Sequence, residues 1–371
     1  MEKRKMINKA KIWKPIQIAS LFNAFINGKA KGRNHLTEIE EGGIAYIGAT
    51  NRNDGVMCFV AENSSTSKLL QEGNCIGFIR NGDGAAGFAI YRDSAFISTS
   101  DVIYGYGDWI NEETGLFFVA SQDKIKPKYS HGHKRSPERL ARDYIMLPVD
   151  DSGNPDYQYM AEYVNTLQNK LLERYKSYLT EQLIELGKPV ELMPLLKKKW
   201  ANFSAFNEKG LFNINATNSS IDGIKIVDDG VYEIPYVTRS ALNNGISKYV
   251  SPKNMLNGYD KGDNITVGLD TQTAFWQPHD FVTGQNIQVI TGKQLNKYVA
   301  LFLLPLLKKQ MEAKFNWGGN GATLTRMKRL EIMLPIDESG DPDYEYMEQY
   351  AKNMMIQKYQ QYLNFIDSKQ G

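Results

Sequence analysis

The sequence predicts an α+β chain: two mainly β domains in tandem, each followed by a long helix, the two helices pairing as an antiparallel coiled coil. Three observations predict it. An internal repeat runs through the chain, short β-type runs fill the first part of each copy, and apolar residues at three- and four-residue steps mark the second part. The repeat is plainest where Leu147-Pro148-Val149-Asp150-Asp151-Ser152-Gly153-Asn154-Pro155-Asp156-Tyr157-Gln158-Tyr159-Met160 returns as Leu334-Pro335-Ile336-Asp337-Glu338-Ser339-Gly340-Asp341-Pro342-Asp343-Tyr344-Glu345-Tyr346-Met347, ten of fourteen positions being identical at an offset of 187. The same offset carries Trp13 onto Trp200. Nearby offsets carry Leu21-Phe22 onto Leu211-Phe212, Ile44-Ala45-Tyr46-Ile47 onto Ile234-Pro235-Tyr236-Val237, and Asp54-Gly55-Val56 onto Asn244-Gly245-Ile246. Between these anchors the copies differ almost completely, as expected of one scaffold carrying two sets of surface residues.

In chain order, the first domain (residues 1–150) is read as β-rich from runs such as Ile44-Ala45-Tyr46-Ile47 and Cys75-Ile76-Gly77-Phe78-Ile79, separated by Gly, Asn and Asp clusters. The first helix (151–187) is read from Met160, Tyr163, Val164, Leu167, Leu171, Tyr175, Tyr178, Leu179 and Leu183. Pro155 suits its first turn and Asn154 its cap. The second domain (188–336) repeats the β pattern, and the second helix (337–371) carries Met347, Tyr350, Ala351, Met354, Tyr359, Tyr362, Leu363 and Ile366, with Asp341 and Pro342 at its start. Helices of roughly 25 to 30 residues reach about 40 to 45 Å. That is too long for one small domain to cover, so the helices are expected to cover each other.

Composition bounds the function. With 371 residues, 42% of them apolar and 23% charged, the chain supports two or three ordinary cores. The longest apolar run, 299–307, is interrupted by Pro305 and is far short of the roughly 20 residues of a membrane span. No apolar stretch follows the basic N-terminus, so a cytoplasmic location without membrane contact is expected. Two cysteines, Cys58 and Cys75, make neither a disulfide framework nor a four-cysteine zinc site. The net charge of +2 hides a division: residues 1–150 carry +3 and 188–336 carry +6, whereas 151–187 carry −3 and 337–371 carry −4. Basic domains attract phosphate backbones and acidic helices avoid them, although ordinary solvated charge gives the same count.

Enzymatic motifs are weak. Gly82-Asp83-Gly84-Ala85-Ala86-Gly87 satisfies G-x-G-x-x-G, but a dinucleotide site needs a helix next, and 88–91 reads as a strand. A Gly-rich hairpin, open to a close backbone approach by DNA, is the preferred reading. No G-x-x-x-x-G-K-[ST] loop occurs. Glu312-Ala313-Lys314 and the two Pro-Asp pairs could furnish nuclease fragments, but the first lacks a counterpart in the other copy and the second sit where helices begin. An Asn-Pro-Pro-Tyr motif for adenine methylation is absent, and His131 and His133 are a pair without further metal ligands. No cofactor or metal is therefore expected in this chain.

With the duplication and the helix after each domain in view, nearly the whole chain resembles the DNA-specificity (S) subunits of type I or type IIB restriction-modification systems. The residues carrying the resemblance are the opening from Trp13 to Phe22, the run Lys134-Arg135-Ser136-Pro137-Glu138-Arg139-Leu140 before Ile145-Met146-Leu147-Pro148-Val149, and Thr323-Leu324-Thr325-Arg326-Met327 before Ile332-Met333-Leu334-Pro335-Ile336. The resemblance implies two target recognition domains, each reading half of a split double-stranded DNA site. It implies helices that set the spacing, and a non-catalytic role beside adenine methyltransferase (modification) subunits and a restriction subunit, with S-adenosylmethionine bound by the modification partner. The helices look short for the family, which leaves type I and type IIB open.

Base readers are expected in loops of the basic parts, where Arg pairs with guanine and Asn or Gln with adenine. The candidates are Arg33, Asn51, Arg52, Asn53, Arg80, Asn81, Lys134 and Arg135 in the first copy, and Arg239, Asn243, Asn244, Lys248, Gln272, Gln277 and Asn320 in the second. Each also reads as a solvated loop residue or a phosphate contact. Two rivals stand beside the specificity subunit: a self-contained restriction nuclease or DNA methyltransferase, and a protein-binding adaptor with two β modules.

Overall fold

The computed structural model describes residues 11–30, 32–40, 42–82, 84–130, 133–315 and 321–370. They fall into two compact units, Met1–Tyr175 and Lys176–Gly371.

The first unit contains β1 (Trp13–Gln17), β2 (Ala24–Asn27), β3 (Glu38–Ile39), β4 (Ile44–Ile47), β5 (Val56–Val60), β6 (Cys75–Ile79), β7 (Ala89–Arg92), β8 (Phe96–Ser98), β9 (Val102–Tyr106), α1 (Glu112–Gln122), α2 (Pro137–Arg142) and β10 (Tyr144–Pro148). It also holds the first part of α3 (Tyr157–Leu186). One sheet has the order β2-β9-β6-β7 and another β3-β5-β4-β8, with β4 and β8 parallel. Strand β6 is buried throughout, which is why it reads as an unbroken apolar run. Its alternate residues serve two layers: Ile76 and Phe78 join Phe117 and Phe118 of α1, whereas Cys75 joins Ile47 of β4 and Phe96 of β8. Asn111 caps α1 by accepting the Thr114 N–H at 2.9 Å, and the Thr114 hydroxyl answers the Asn111 N–H at 3.0 Å.

The second unit repeats the plan with β11 (Trp200–Ser204), β12 (Asn213–Ala216), β13 (Ile234–Val237), β14 (Ile246–Val250), β15 (Asn264–Gly268), β16 (Ala274–Gln277), β17 (Val282–Thr283), β18 (Ile287–Thr291), α4 (Lys297–Lys314), β19 (Glu331–Pro335) and α5 (Tyr344–Gln370). The sheets are β12-β18-β15-β16 and β14-β13-β17, with β13 and β17 parallel. Helix α4 has 18 residues against 11 in α1, and Val299, Phe302, Leu303, Leu307 and Met311 bury its inner face. Asn296 caps it as Asn111 caps α1.

Each unit is closed by a two-stranded clasp. Strand β1 pairs antiparallel with β10 from Trp13 opposite Pro148 to Gln17 opposite Tyr144, and β11 pairs with β19 from Trp200 opposite Pro335 to Ser204 opposite Glu331. The repeated prolines lack the N–H needed to carry the ladder on. The chain then turns: the Asp150 carboxylate accepts the Ser152 and Asn154 N–H groups, both at 2.9 Å, and Asp337 accepts those of Ser339 and Asp341. Gly153 and Gly340 lie at φ +85° and +87°, a left-handed conformation that explains the repeated glycine.

The helix starts correct the reading of the sequence. Pro155 and Pro342 are not in the first turn but form bridges back to Val149 and Ile336, and Asn154 and Asp341 are turn residues. The caps are Asp156 and Asp343, whose carboxylates accept the Tyr159 and Tyr346 N–H groups, each at 2.9 Å. Asp156 also pairs with Lys11 and, at the same offset, Asp343 pairs with Lys198 at 2.6 Å. The repeated spacing of the Pro-Asp pairs thus serves helix initiation.

Partial burial alone would raise these two carboxyls. The lysine ammonium and the helix N–H outweigh it and hold both below the ordinary carboxylate value. A depressed native value means the folded state binds fewer protons, so this stabilisation is complete above the unfolded value of about 4 and is lost as pH falls through the native one. Asp343→Asn keeps a cap acceptor and removes the charge. It should cost about 1 kcal/mol in urea unfolding at pH 7, and the difference from wild type should shrink as the pH is lowered below about 4.

Helices α3 and α5 have 30 and 27 residues, in line with the expected lengths. Within the second unit Lys176 of α3 pairs with Asp367 near the end of α5 at 2.6 Å, and past the end of α3 the Val190 carbonyl accepts from Asn353 of α5 at 2.7 Å while the Val190 N–H donates to it at 3.1 Å, so the chain leaving α3 runs antiparallel to α5. Leu179, Ile356 and Ile366 are buried along this stretch. Among the described residues no helix is long and apolar enough to cross a membrane.

Candidate nucleic-acid interface

The hairpins β4–β5 and β13–β14 are surface features that the two units share. Asn53, Asp54 and Gly55 have φ of 47°, 47° and 79°, and Asn243, Asn244 and Gly245 have 50°, 54° and 78°. Asn and Asp tolerate this left-handed region because their short side chains bond locally. Gly55 is required for a second reason, since a Cβ there would stand 2.8 Å from Ile90. Both hairpins also slip register at the same place, between Tyr46 and Ile47 and between Tyr236 and Val237. The backbone is therefore the same device twice. Its side chains are not: Ala49, Asn51, Arg52, Asp54 and Cys58 of the first copy correspond to Arg239, Ala241, Leu242, Asn244 and Lys248 of the second.

In the first unit Asn51, Arg52 and Asn53 stand exposed together at the tip. Asn53 spends one donor on the Val56 carbonyl at 3.3 Å, and no ion pair involves Arg52 among the described residues. Arg33 is exposed beside Glu38 at 3.4 Å. Arg80 and Asn81 are half-buried and hold the turn between β8 and β9, Arg80 donating to the Ser100 carbonyl at 3.2 Å and Asn81 to Asp101 at 3.4 Å. Lys134 is exposed.

Arg135 is not a reader. It is fully buried, donates to Gln122 and, at 2.9 Å, to Asp143, and lies over the rings of Phe78 and Tyr129 at 5.0 and 5.2 Å. The Tyr129 hydroxyl completes the cluster by donating to Asp143 at 2.6 Å. Burial pushes the Tyr129 hydroxyl up to about 12, with the hydrogen bond to Asp143 acting in the same direction. The Gly-rich segment packs inward on this cluster: Gly87 is buried at φ +93°, its carbonyl accepts the Gln122 amide at 2.9 Å, and strand β7 follows where a dinucleotide site would need a helix. Ala85, Ala86 and Gly87 are covered, whereas Gly84 is exposed with nothing within 4 Å of where a Cβ would stand, so of this segment the part around Gly84 is what stays open to a close approach.

In the second unit Asn243 and Asn244 are exposed at the tip, and Lys248 lies over the Tyr236 ring at 6.0 Å. Arg239 pairs with Asp270. An exposed pair of this kind is worth little and orients the guanidinium rather than consuming it. Arg239 borders a cleft of about 180 Å³ lined also by Asp222, Tyr236, Thr238 and Gln285. Gln272 is half-buried and donates to the Asp270 carbonyl at 2.9 Å. Gln277 is also corrected: it is 2% exposed, and its amide donates to the Asn244 carbonyl and the Thr266 hydroxyl, supporting the tip from beneath. Asn320 and His131 lie outside the described residues. Sequence reading missed Thr238 and Gln285; the signal for Thr238 was its place directly after the repeated Ile234-Pro235-Tyr236-Val237 anchor.

Two copies of one β scaffold, each presenting a polar hairpin and each closed before a long helix, define a tandem two-domain protein. Residues 199–363 match the type I restriction modification DNA specificity domain. The Type II restriction enzyme BgcI specificity subunit S.BcgI of Heyndrickxia coagulans is 25% identical over 251 residues, covering 66% of this chain and 67% of that protein. The crystal structure of the type I restriction-modification system S subunit from M. genitalium shares the fold at a TM-score of 0.50 and 12% identity, over 98% of this chain and 94% of the other. Residues 199–363 thus carry a DNA specificity domain of the type I restriction-modification kind, and nearly the whole chain has the fold of an S subunit.

Proposed function

We propose that the chain reads a bipartite double-stranded DNA site, one unit per half-site, and brings adenine methyltransferase subunits and a restriction subunit to it. The observation that carries this is the hairpin built twice with one backbone and two sets of side chains. Equal geometry with different chemistry is what two readers of different half-sites need. S-adenosylmethionine would be held by the modification partner. The residues best placed to touch bases are Asn51, Arg52 and Asn53 in one unit and Arg239, Asn243 and Asn244 in the other, while Arg33, Lys134 and Lys248 suit phosphate.

The globular parts carry only +3 and +6, a modest charge for unaided grip on a long site. Purified chain should bind DNA weakly and without sequence preference, and should acquire preference when its modification subunit is added. Gel-shift titrations at physiological salt test this. Tight, specific binding by the isolated chain would count against it.

The same reading makes the helices the ruler between half-sites, paired as a coiled coil along their acidic, apolar-striped lengths. Four residues inserted after Glu181 of α3 and four after Gln361 of α5, at facing levels given by the Lys176–Asp367 and Val190–Asn353 contacts, would preserve that register. The insertion adds about 6 Å and should widen the preferred gap by about one or two base pairs, with both half-site sequences unchanged. A binding selection on randomised DNA reads the gap directly. An unchanged gap in a folded, partner-bound variant would rule out the helices as ruler.

A further inference from the structure

The two units differ at one place where duplication predicts sameness. In the first, Gly107-Asp108-Trp109-Ile110-Asn111 leads into α1; in the second, Gly292-Lys293-Gln294-Leu295-Asn296 leads into α4. Both segments end on the helix cap, so Trp109 and Gln294 occupy corresponding positions. Trp109 lies flat on Tyr157 of α3, with ring centroids 5.1 Å apart and planes inclined by 14°, and its indole N–H donates to the Leu21 carbonyl at 2.6 Å. Tyr344, the repeat counterpart of Tyr157, has no tryptophan from this segment to cover it. In its place is a cleft of about 390 Å³ bordered by Gln294, Val299, Tyr344, Glu345, Glu348 and Lys352.

We propose that this cleft accepts an aromatic side chain, tryptophan or tyrosine, from the modification subunit, stacked on Tyr344 as Trp109 stacks on Tyr157. The proposal rests on the reading of this chain as a specificity subunit. The first copy shows what this scaffold places beside the helix tyrosine, and the cleft lies at the corresponding place in the second. The charges of its lining disfavour DNA as occupant. Glu348 is paired with Lys352 at 2.6 Å and bonded to the Asn296 amide at 2.8 Å, while Glu345 is exposed, so the rim is net negative and repels phosphate. The same rim favours a basic residue beside the partner's aromatic ring. In the first copy the positions of Glu345 and Glu348 are Gln158 and Ala161, so the acidic rim, like the vacancy, belongs to the second unit alone. One contact on the modification subunit would thereby distinguish the two halves of a duplicated chain.

Gln294→Trp restores the first copy's arrangement and fills the cleft from within, and Gln294→Ala enlarges it. Neither residue change touches the hairpins, so DNA contacts stay as in wild type. The test uses the full-length chain in two arms. N-acetyl-tryptophanamide, a probe that needs no partner, should bind wild type saturably with a Kd on the order of 1 mM, perturbing the NMR signals of Tyr344. Binding should persist in Gln294→Ala and disappear in Gln294→Trp. In the second arm, the purified modification subunit should bind Gln294→Trp at least tenfold more weakly than wild type and Gln294→Ala no more weakly. Absence of saturable probe binding, or undiminished subunit binding by folded Gln294→Trp, overturns the proposal. If wild type fails to bind the modification subunit while the probe still binds at Tyr344, the specificity-subunit assembly is what fails, and the aromatic site itself is supported.

Discussion

Replacing Arg135 with methionine should destabilise the first unit by about 3 to 5 kcal/mol, the largest single-residue effect expected in this chain. The reason is the company Arg135 keeps. Its guanidinium is fully buried against Asp143, itself only 6% exposed at the side chain, with Gln122, Tyr129 and Phe78 around it. Removing the cation leaves a buried carboxylate with Tyr129 and the mostly exposed Lys128, 3.5 Å away, as its remaining partners. At the repeat offset the second unit has no such pair: Ala322 and Leu330 stand there, both buried. The scaffold therefore closes with either a charge pair or apolar packing. A double variant, Arg135→Met with Asp143→Leu, should recover most of the loss, to within about 1 kcal/mol of wild type. Urea unfolding of the single and double variants measures both values. A double variant as unstable as the single one would show that the cluster does more than close the unit. Because Arg135 is enclosed, the double variant should also keep the wild-type sequence preference.

This cluster marks where the sequence stopped being readable. The duplication, the strand-rich domains and the helix lengths were legible because the anchors do backbone work: the clasp tryptophans, the Asp-Ser-Gly turns with their left-handed glycines, and the Asp-Tyr helix starts cannot vary freely. The helix caps were misplaced by two residues because Asn154 and Asp341 have cap chemistry too, and only the bridges from Pro155 and Pro342 show that the chain is still turning there. Arg135 and Gln277 were taken for readers because arginine and glutamine have the same donors in a core as in a groove. What separates them is burial, set by residues far away in sequence such as Asp143 and Asn244. The hairpin candidates were placed correctly on exposed tips, since Asn-Asp-Gly and Asn-Asn-Gly announce a turn that few other residues allow.

The second large effect concerns recognition itself. The β11–β19 clasp brings Trp200 and Pro335 together, so the β part of the second unit can be exchanged through one closed seam without cutting a strand of either sheet. Replacing residues 200–335 by the equivalent stretch of a relative leaves every first-unit residue at Asn51, Arg52 and Asn53 in place. It changes the positions of Arg239, Asn243 and Asn244 together. If each unit reads its own half-site, the whole contribution of one half is replaced, and each mismatched base pair then costs about 1 to 3 kcal/mol. The measurement is a binding selection on randomised duplex DNA with the exchanged chain and its modification subunit. One half of the selected sequence should become the relative's while the other half stays that of the wild type; a change in both halves, or in neither, would contradict the account.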